Sequence, residues 1–192
     1  MADRVCPWWL GYALASPLRR LFEKPETILS PYVRPGMTAV DVGSGMGFFS
    51  LPLARMVGSA GRVVSADLQP RMINSLRRRA QRAGLLERMD LRVCPQDSLG
   101  LDDLAGTADF VLLFAVVHEV PDQAGLMVQV RNLMNPTGRC LLAEPAGHVT
   151  ADRFAETISA AEAAGLTVVA PPAIRRNRAV VLGISDAEPA GG

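Results

Sequence analysis

Cysteines are few in this sequence, and none lies close to another. The three cysteines, at positions 6, 94 and 140, form no C-x-x-C pair, which excludes a disulfide framework and the usual thiolate metal motifs. Long apolar runs are also absent. The longest, residues 110–117, is far shorter than the ~20 residues that a membrane span requires. We therefore expect a cytoplasmic protein with no membrane partner.

Neither sign of charge predominates. The 20 Lys and Arg residues against 19 Asp and Glu give a net charge of +1. Proteins that bind nucleic acid usually carry a clear basic excess, so we do not expect a nucleic-acid partner. Two arginine clusters stand out. Residues 77–79 are expected on the solvated face of a helix, and residues 175–178 fall in a loop that could face solvent or meet an anionic substrate.

Aromatic residues make up only 5% of the sequence, and both tryptophans precede the first predicted strand. We divide the chain into a leader of residues 1–30, one domain of residues 31–185 and a frayed tail of residues 186–192. The leader either packs on the domain or covers a pocket as a lid. In the second case it would supply substrate contacts at Trp8, Trp9 and Tyr12.

A glycine-rich turn between a predicted strand and a predicted helix is the most informative segment. Residues 39–42 are typical of a buried strand, and Gly43, Gly45 and Gly47 follow on alternate positions. The apolar periodicity of residues 48–57 then predicts a helix. This arrangement brings the backbone close to a nucleotide-like ligand, whereas a merely tight turn would need fewer glycines.

Strands and helices alternate along the rest of the chain. Further strands are predicted at residues 62–67, 89–94, 110–115, 140–143, 166–170 and 179–184, and short helices at residues 17–21, 25–29 and 99–104. The alternation predicts a doubly wound, mostly parallel seven-stranded α/β sheet with helices on both faces. Residues 171–178 are too few for a parallel crossover of about a dozen residues, so the last strand is predicted to be antiparallel.

Polar side chains follow the predicted strands at their carboxyl ends, where open parallel sheets bind ligands. Asp67, at the tip of the second strand, could accept two hydrogen bonds from a ribose diol and would repel a 2′-phosphate. The other candidates at these ends are Asp41, Asp97, Ser98, His118, Glu119, Glu144 and His148.

In these positions the sequence resembles the class I S-adenosylmethionine-dependent methyltransferases, over roughly residues 25–185. Residues 41–47, DVGSGMG, resemble that family's E/D-x-G-x-G-x-G motif, and Asp67 stands where its ribose-binding acid is found. The resemblance implies methyl transfer with S-adenosylmethionine as the cofactor. It implies cofactor contacts at Asp41, Gly43, Ser44, Gly45, Gly47, Asp67, Leu68, Met72, Asp97, Ser98, Phe114 and Ala115.

Methyl transfer requires mainly positioning of the reactants, and a protic nucleophile also needs a base. His118, with Glu119 beside it, is the candidate catalytic residue in the loop after the fourth strand. His118 could instead bond to backbone or orient Glu119. His148 is a second candidate base. Glu144 and His148 are also candidate substrate contacts. A cationic or amine substrate could be bound by Glu119 or Glu144.

Two other classes of function fit the residues less well. A nicotinamide oxidoreductase with G-x-G-x-x-G would need glycine at position 48, where Phe48 stands, and a non-catalytic cofactor-binding scaffold would be expected to lose the cofactor positions that are intact here. No metal site is predicted, since Asp122 replaces the second histidine of H-E-x-x-H, and Cys94 and Cys140 fall at opposite ends of their predicted strands. Participation of Cys6, alone or with Cys94, stays open. The Asp/Asn-Pro-Pro-aromatic pattern of amino-methylating enzymes is absent. We therefore expect a small-molecule substrate; the sequence gives no indication of the oligomeric state.

Overall fold

The computed structural model describes residues 23–185. The predictions for the aromatic leader residues 8–12, the helix at residues 17–21, Cys6 and the tail at residues 186–192 lie outside the described residues. The strands are β1 (Thr38–Val42), β2 (Arg62–Asp67), β3 (Met89–Val93), β4 (Ala108–Phe114), β5 (Met134–Pro145), β6 (Leu166–Ala170) and β7 (Asn177–Ile184). The α-helices are α1 (Pro25–Leu29), α2 (Ser50–Met56), α3 (Pro70–Arg82), α4 (Gln123–Leu133) and α5 (Ala151–Ala163).

The seven strands form one mixed sheet in the order β3-β2-β1-β4-β5-β7-β6, and helices flank it. This confirms the predicted fold class. The described residues divide into two compact units, the first ending at Gln96 and the second beginning at Asp97.

In the first unit, β1, β2 and β3 are parallel neighbours. Thr38 of β1 pairs with Arg62 of β2, and Val63 of β2 pairs with Met89 of β3. The central strands are buried on both faces, which explains why their sequences are continuous apolar runs rather than alternating patterns. This register brings the carboxyl ends of β1 and β2 to the same edge.

In the second unit, β4 and β5 are parallel, and β7 is antiparallel to both β5 and β6. The antiparallel pair that the short connection predicts is therefore confirmed. Phe114 pairs with Ala143, so the loop after β4 and the end of β5 leave the sheet side by side.

Several element boundaries differ from the predicted ones. Strand β5 begins at Met134 instead of residue 140, because the segment after α4 already pairs with Ala108 before the register shifts. The helix predicted at residues 99–104 is reduced to a single 3₁₀ turn, Asp102–Leu104, because Gly100 has a left-handed φ of 62°. Helix α2 starts at Ser50, with Pro52 tolerated in its first turn.

None of the helices within residues 23–185 is long and apolar enough to cross a membrane.

Candidate functional site

The turn after β1 has a backbone that only glycine adopts readily. The φ angles of Gly43, Gly45 and Gly47 are 69°, 53° and 83°, all in the left-handed region. The Gly43 and Ser44 amides both donate to the carbonyl of Ala66 on β2, at 2.9 and 3.1 Å. The alternation of glycines in the sequence is thus a requirement of the conformation.

Two of these glycines differ in what surrounds them. Among the described residues, its chain neighbours apart, a Cβ at Gly45 would meet no atom within 4 Å, whereas a Cβ at Gly47 would lie 2.2 Å from Cδ1 of Leu76 on α3. Gly47 is therefore required for packing inside the protein. Gly45 faces open space, as a glycine that lets a ligand approach would.

Asp67 holds the same turn in place. Its Oδ2 accepts the Gly45 amide at 2.8 Å, and its Oδ1 accepts the Gln69 amide at 2.8 Å. Burial raises the pKa of Asp67, and the two backbone hydrogen bonds, from Gln69 and Gly45, oppose that rise. The sequence predicts Asp67 at the tip of β2 but gives no indication that it anchors the turn after β1.

Arg79 also holds the turn, because its guanidinium donates to the carbonyl of Met46 at 2.5 Å. The prediction that residues 77–79 form a solvated face is therefore wrong for Arg79, although Arg77 and Arg78 are exposed. An arginine stem can lie along apolar surface while its head reaches a carbonyl, and helical periodicity alone does not reveal this.

Asp41 is the second buried acidic group of this unit and is only 3% exposed. The hydroxyl of Ser50 at the start of α2 donates to its Oδ2. Burial raises the pKa of Asp41 to about 7, the Ser50 hydrogen bond opposes the rise, and the charge of Asp67 adds to it. Among the described residues, the buried hydroxyls of Ser44 and Ser65 have no hydrogen-bond partner.

The remaining predicted cofactor residues of the first unit lie beside these groups in the chain. Leu68 is partly exposed directly after Asp67, and Met72 is 4% exposed on α3. The first unit thus combines a left-handed glycine turn, open space at Gly45, two buried carboxylates and an unsatisfied hydroxyl at Ser44.

In the second unit, Ser98 has a structural role. Its hydroxyl donates to Oε1 of Gln129 on α4 at 3.2 Å and accepts the Gly100 amide at 3.0 Å. Asp97 is exposed at the start of this loop. The two residues predicted to contact the cofactor, Asp97 and Ser98, therefore lie on a loop that Gln129 holds in place. The sequence gives no indication of this role of Gln129.

The end of β4 is strained. Phe114 is the last residue of the strand, and Ala115 follows with a φ of 56°, which is costly for a residue other than glycine. The Ala115 amide donates to the carbonyl of Ala143 on β5 at 2.8 Å, which holds it there. Strain of this kind occurs preferentially at functional sites. Ala115 is one of the cofactor contacts that the family resemblance implies.

His118 and Glu144 form a hydrogen-bonded pair. Nδ1 of His118, in a 3₁₀ turn after β4, contacts Oε2 of Glu144 at the end of β5. Oε1 of Glu144 accepts the amides of Val116 and Val117 at 3.1 and 2.8 Å. The side chain of Glu144 is 1% exposed and that of His118 is 26% exposed.

His148 and Glu119 complete this cluster. The His148 ring lies edge-on to that of His118, with 6.2 Å between the ring centroids. The Glu144 hydrogen bond raises the pKa of His118, burial opposes the rise, and the charges of Glu144 and Glu119 add to it. The structure thus brings His118, Glu144 and His148 together.

The two described cysteines have no reactive setting. Cys140 lies in the middle of β5, not near its beginning as predicted, because the strand starts earlier. Burial raises the pKa of its thiol, and burial and the charge of Asp67 raise the pKa of Cys94. Within the part of the chain that the structure describes, no three His, Cys, Asp or Glu side chains are arranged so that they could hold a metal ion.

Comparison with known proteins gives a consistent result. Residues 34–174 match a family model described as a methyltransferase domain. A crystal structure of a SAM-dependent methyltransferase from Aquifex aeolicus superposes with a TM-score of 0.83 at 22% identity, covering 93% of this chain and 98% of that one. At this identity the likeness shows the fold.

Two curated relatives differ in their described substrates. The ubiquinone/menaquinone biosynthesis C-methyltransferase UbiE of Hydrogenovibrio crunogenus is 26% identical over 66% of this chain and 49% of its own length. The ribosomal protein L11 methyltransferase of Pelotomaculum thermopropionicum is 30% identical over 73% of this chain and 42% of its own. The match thus spans about half the length of these relatives or less.

Proposed function

Because this chain belongs to the class I S-adenosylmethionine-dependent methyltransferases and has S-adenosylmethionine as its cofactor, we propose that it methylates a small molecule. The cofactor supplies an electrophilic methyl group on a positively charged sulfur. The observation that supports cofactor binding is the open space at Gly45 in a turn that Asp67 holds in shape.

The residues of the first unit fit this cofactor. A carboxylate has about four lone-pair sites, and Asp67 uses two of them for backbone amides, so acceptor capacity is left for the sugar hydroxyls. The buried hydroxyl of Ser44 has no partner among the described residues, and it can hydrogen-bond to a ligand. Asp41 and Asp67 give the site an acidic character that suits a cationic cofactor and disfavours a 2′-phosphate.

The other predicted cofactor contacts stay part of the proposal. They are Gly43, Leu68, Met72, Asp97, Ser98, Phe114 and Ala115. A nicotinamide oxidoreductase is disfavoured, since Phe48 is a buried core residue where that class needs glycine.

The small-molecule substrate rests on charge and on sequence. The net charge of +1 provides no basic excess for RNA or DNA, and residues 116–118, VVH, replace the pattern of amino-methylating enzymes. UbiE is described as a C-methyltransferase of quinone biosynthesis, which is small-molecule chemistry, whereas the L11 enzyme modifies a protein. A cytoplasmic location and acceptor contacts by Trp8, Trp9 and Tyr12 remain predictions.

Cofactor binding is tested by titration calorimetry with S-adenosylhomocysteine on Gly45→Ala and a matched control, Gly58→Ala. Both glycines have left-handed φ angles and no atom within 4 Å of an added Cβ, so both variants carry the same backbone strain of about 1–2 kcal/mol. We expect Gly45→Ala to weaken binding by at least about tenfold, because its methyl group enters the ligand space. Gly58→Ala should bind as the wild type does; equal affinity in all three proteins would refute the site.

The acceptor class is tested with methyl-labelled S-adenosylmethionine and three separate acceptor pools: small metabolites, RNA and protein. Label in the metabolite pool supports the proposal. Label in RNA or protein alone would refute the small-molecule substrate, and cofactor binding without transfer to any pool would favour the scaffold.

A further inference from the structure

We propose that Glu144 is a positioning residue that fixes His118 as a general base, and that the methyl acceptor therefore presents a hydroxyl or an acidic C–H group. This inference rests on the proposed methyl transfer and names the chemical class of its acceptor. It is carried by the hydrogen bonds of Glu144, all of which lie within the second unit.

Glu144 is held so that only one of its oxygens is directed at the ring. Oε1 accepts both backbone amides of Val116 and Val117, which ties the carboxyl group to the loop that carries His118. Oε2 is left to contact Nδ1 of His118. Because Glu144 is 1% exposed, water does not compete for these positions.

This arrangement selects one tautomer of the imidazole. A carboxylate only accepts hydrogen bonds, so the nitrogen facing Glu144 carries the proton. In the neutral ring Nε2 then holds the lone pair. The ring is 26% exposed, so it is open to solvent on part of its surface. A partner that fixes the tautomer in this way is what a general base requires.

Within residues 23–185, three groups face His118 from the elements around it: Glu144 at the end of β5, Glu119 in its own 3₁₀ turn and His148 after β5. The raised pKa of His118 makes its neutral ring a stronger proton acceptor. Two neighbouring carboxylates also stabilise the imidazolium that forms when Nε2 takes up a proton.

The proposed step is balanced in atoms and electrons. Nε2 of His118 accepts the proton of the acceptor O–H or C–H bond, and the electron pair left on the acceptor forms the new bond to the methyl carbon. The electrons of the broken carbon–sulfur bond stay on the sulfur, which becomes neutral. Nε2 later releases its proton to water. A neutral amine attacks through its own lone pair and would not need this base.

The first experiment measures the tautomer directly and needs no acceptor. The chain has only two histidines, so long-range ¹H–¹⁵N spectra of [¹⁵N]histidine-labelled protein contain two ring systems, and His118→Asn assigns them. We expect the neutral His118 ring to carry its proton on Nδ1 and to titrate above the ordinary pKa of 6.5. A wild-type ring protonated on Nε2 would overturn the proposal.

Glu144→Gln is the decisive variant. Its amide oxygen can still accept from Val116 and Val117, but its NH₂ group donates to Nδ1 and moves the ring proton to Nε2. We expect the tautomer to invert and the pKa of His118 to fall. The control is Glu156→Gln, an exposed carboxylate on α5, which should leave both unchanged. Unchanged histidine spectra in Glu144→Gln would contradict the positioning role.

Kinetics with the acceptor found in the labelled-methyl screen provide the second readout. We expect Glu144→Gln and His118→Asn each to lower kcat by about 10²- to 10⁴-fold, with S-adenosylhomocysteine affinity unchanged and no further loss in the double variant. Full turnover in His118→Asn, or an amine as the acceptor, would refute the base. If the wild type failed to bind S-adenosylhomocysteine, the proposed function would be refuted. The tautomer measurement would still test the pairing of Glu144 with His118.

Discussion

Asp41→Asn should stabilise the protein in a pH-dependent way. Asp41 is a buried carboxyl on β1 whose pKa burial raises from 3.8 to about 7, with the nearby charge of Asp67 adding to the effect. Asparagine has the same shape, carries no charge and can keep a hydrogen bond with Ser50. The variant therefore removes the cost of burying a charge and changes little else in the core.

The sign follows from proton binding. Between pH 3.8 and 7 the folded state keeps a proton on Asp41 that the unfolded state has released, so the free energy of unfolding falls as pH rises through this window. Above pH 7 both states are ionised and the loss is complete. A pKa difference of this size corresponds to about 4 kcal/mol. Asp41→Asn should thus be more stable than the wild type by up to about 4 kcal/mol at pH 8, and the gain should vanish near pH 4.

Urea unfolding of the protein without ligand, followed from pH 4 to pH 8.5, measures this difference. Asp102→Asn serves as the control, since it removes a carboxylate from the exposed surface instead of from the core. Asp67→Asn should narrow the pH range over which Asp41 lowers the stability, because it removes one cause of the raised pKa of Asp41. A gain in Asp41→Asn that does not vary with pH would show that Asp41 titrates as an ordinary carboxyl and would refute the reasoning.

Two further stability predictions follow from packing and from surface charge. Gly47→Ala should lower the free energy of unfolding by about 2–4 kcal/mol, because its Cβ collides with Leu76, whereas Gly58→Ala should cost only the strain of about 1–2 kcal/mol. Equal losses of unfolding free energy in the two variants, measured by urea titration, would show that Leu76 moves aside at no cost and would contradict this prediction. Asp90→Asn should cost at most about 1 kcal/mol, and 1 M salt should abolish the difference, because its pairs with Arg62 and Arg92 are partly exposed. A larger, salt-insensitive loss would contradict this.

The fold could be predicted because its signals are local. The apolar runs of β1, β2 and β4 report burial on both faces, and the connection between β6 and β7 is too short for any arrangement but an antiparallel one. Each of these signals depends on residues that are neighbours in the sequence. Helix α1 and strands β2 and β6 accordingly begin and end at the predicted residues.

The boundaries that were wrong depend on contacts that are distant in the sequence. The early start of β5 results from pairing between Met134 and Ala108, and no local pattern reports that pairing. Gly100 illustrates a related limit. A glycine within an apolar pattern is compatible with a helix, and only its φ of 62° shows that the helix is interrupted there.

The candidate site shows the same division between residue types and residue roles. The sequence predicts carboxylates at the ends of β2 and β5, but it does not predict what these carboxylates contact. Asp67 accepts the amide of Gly45 in the turn after the neighbouring β1, and Glu144 accepts the amides of Val116 and Val117 in the loop after the neighbouring β4. Each carboxylate anchors the loop of the parallel strand beside it.

This shared role decides how the two acids must be tested. Asp67→Ala or Glu144→Ala would release a loop as well as remove a charge, so lost activity in either would not separate a ligand contact from a structural one. An amide side chain keeps one acceptor oxygen for the backbone. In Glu144→Gln, the amide also reverses the hydrogen bond to His118. If Glu144 only anchored the loop, this reversal would not affect activity. Replacing Asp67 by asparagine and Glu144 by glutamine therefore separates ligand contact from loop anchoring. An alanine variant does so only at positions such as Gly45, where no side chain holds the fold.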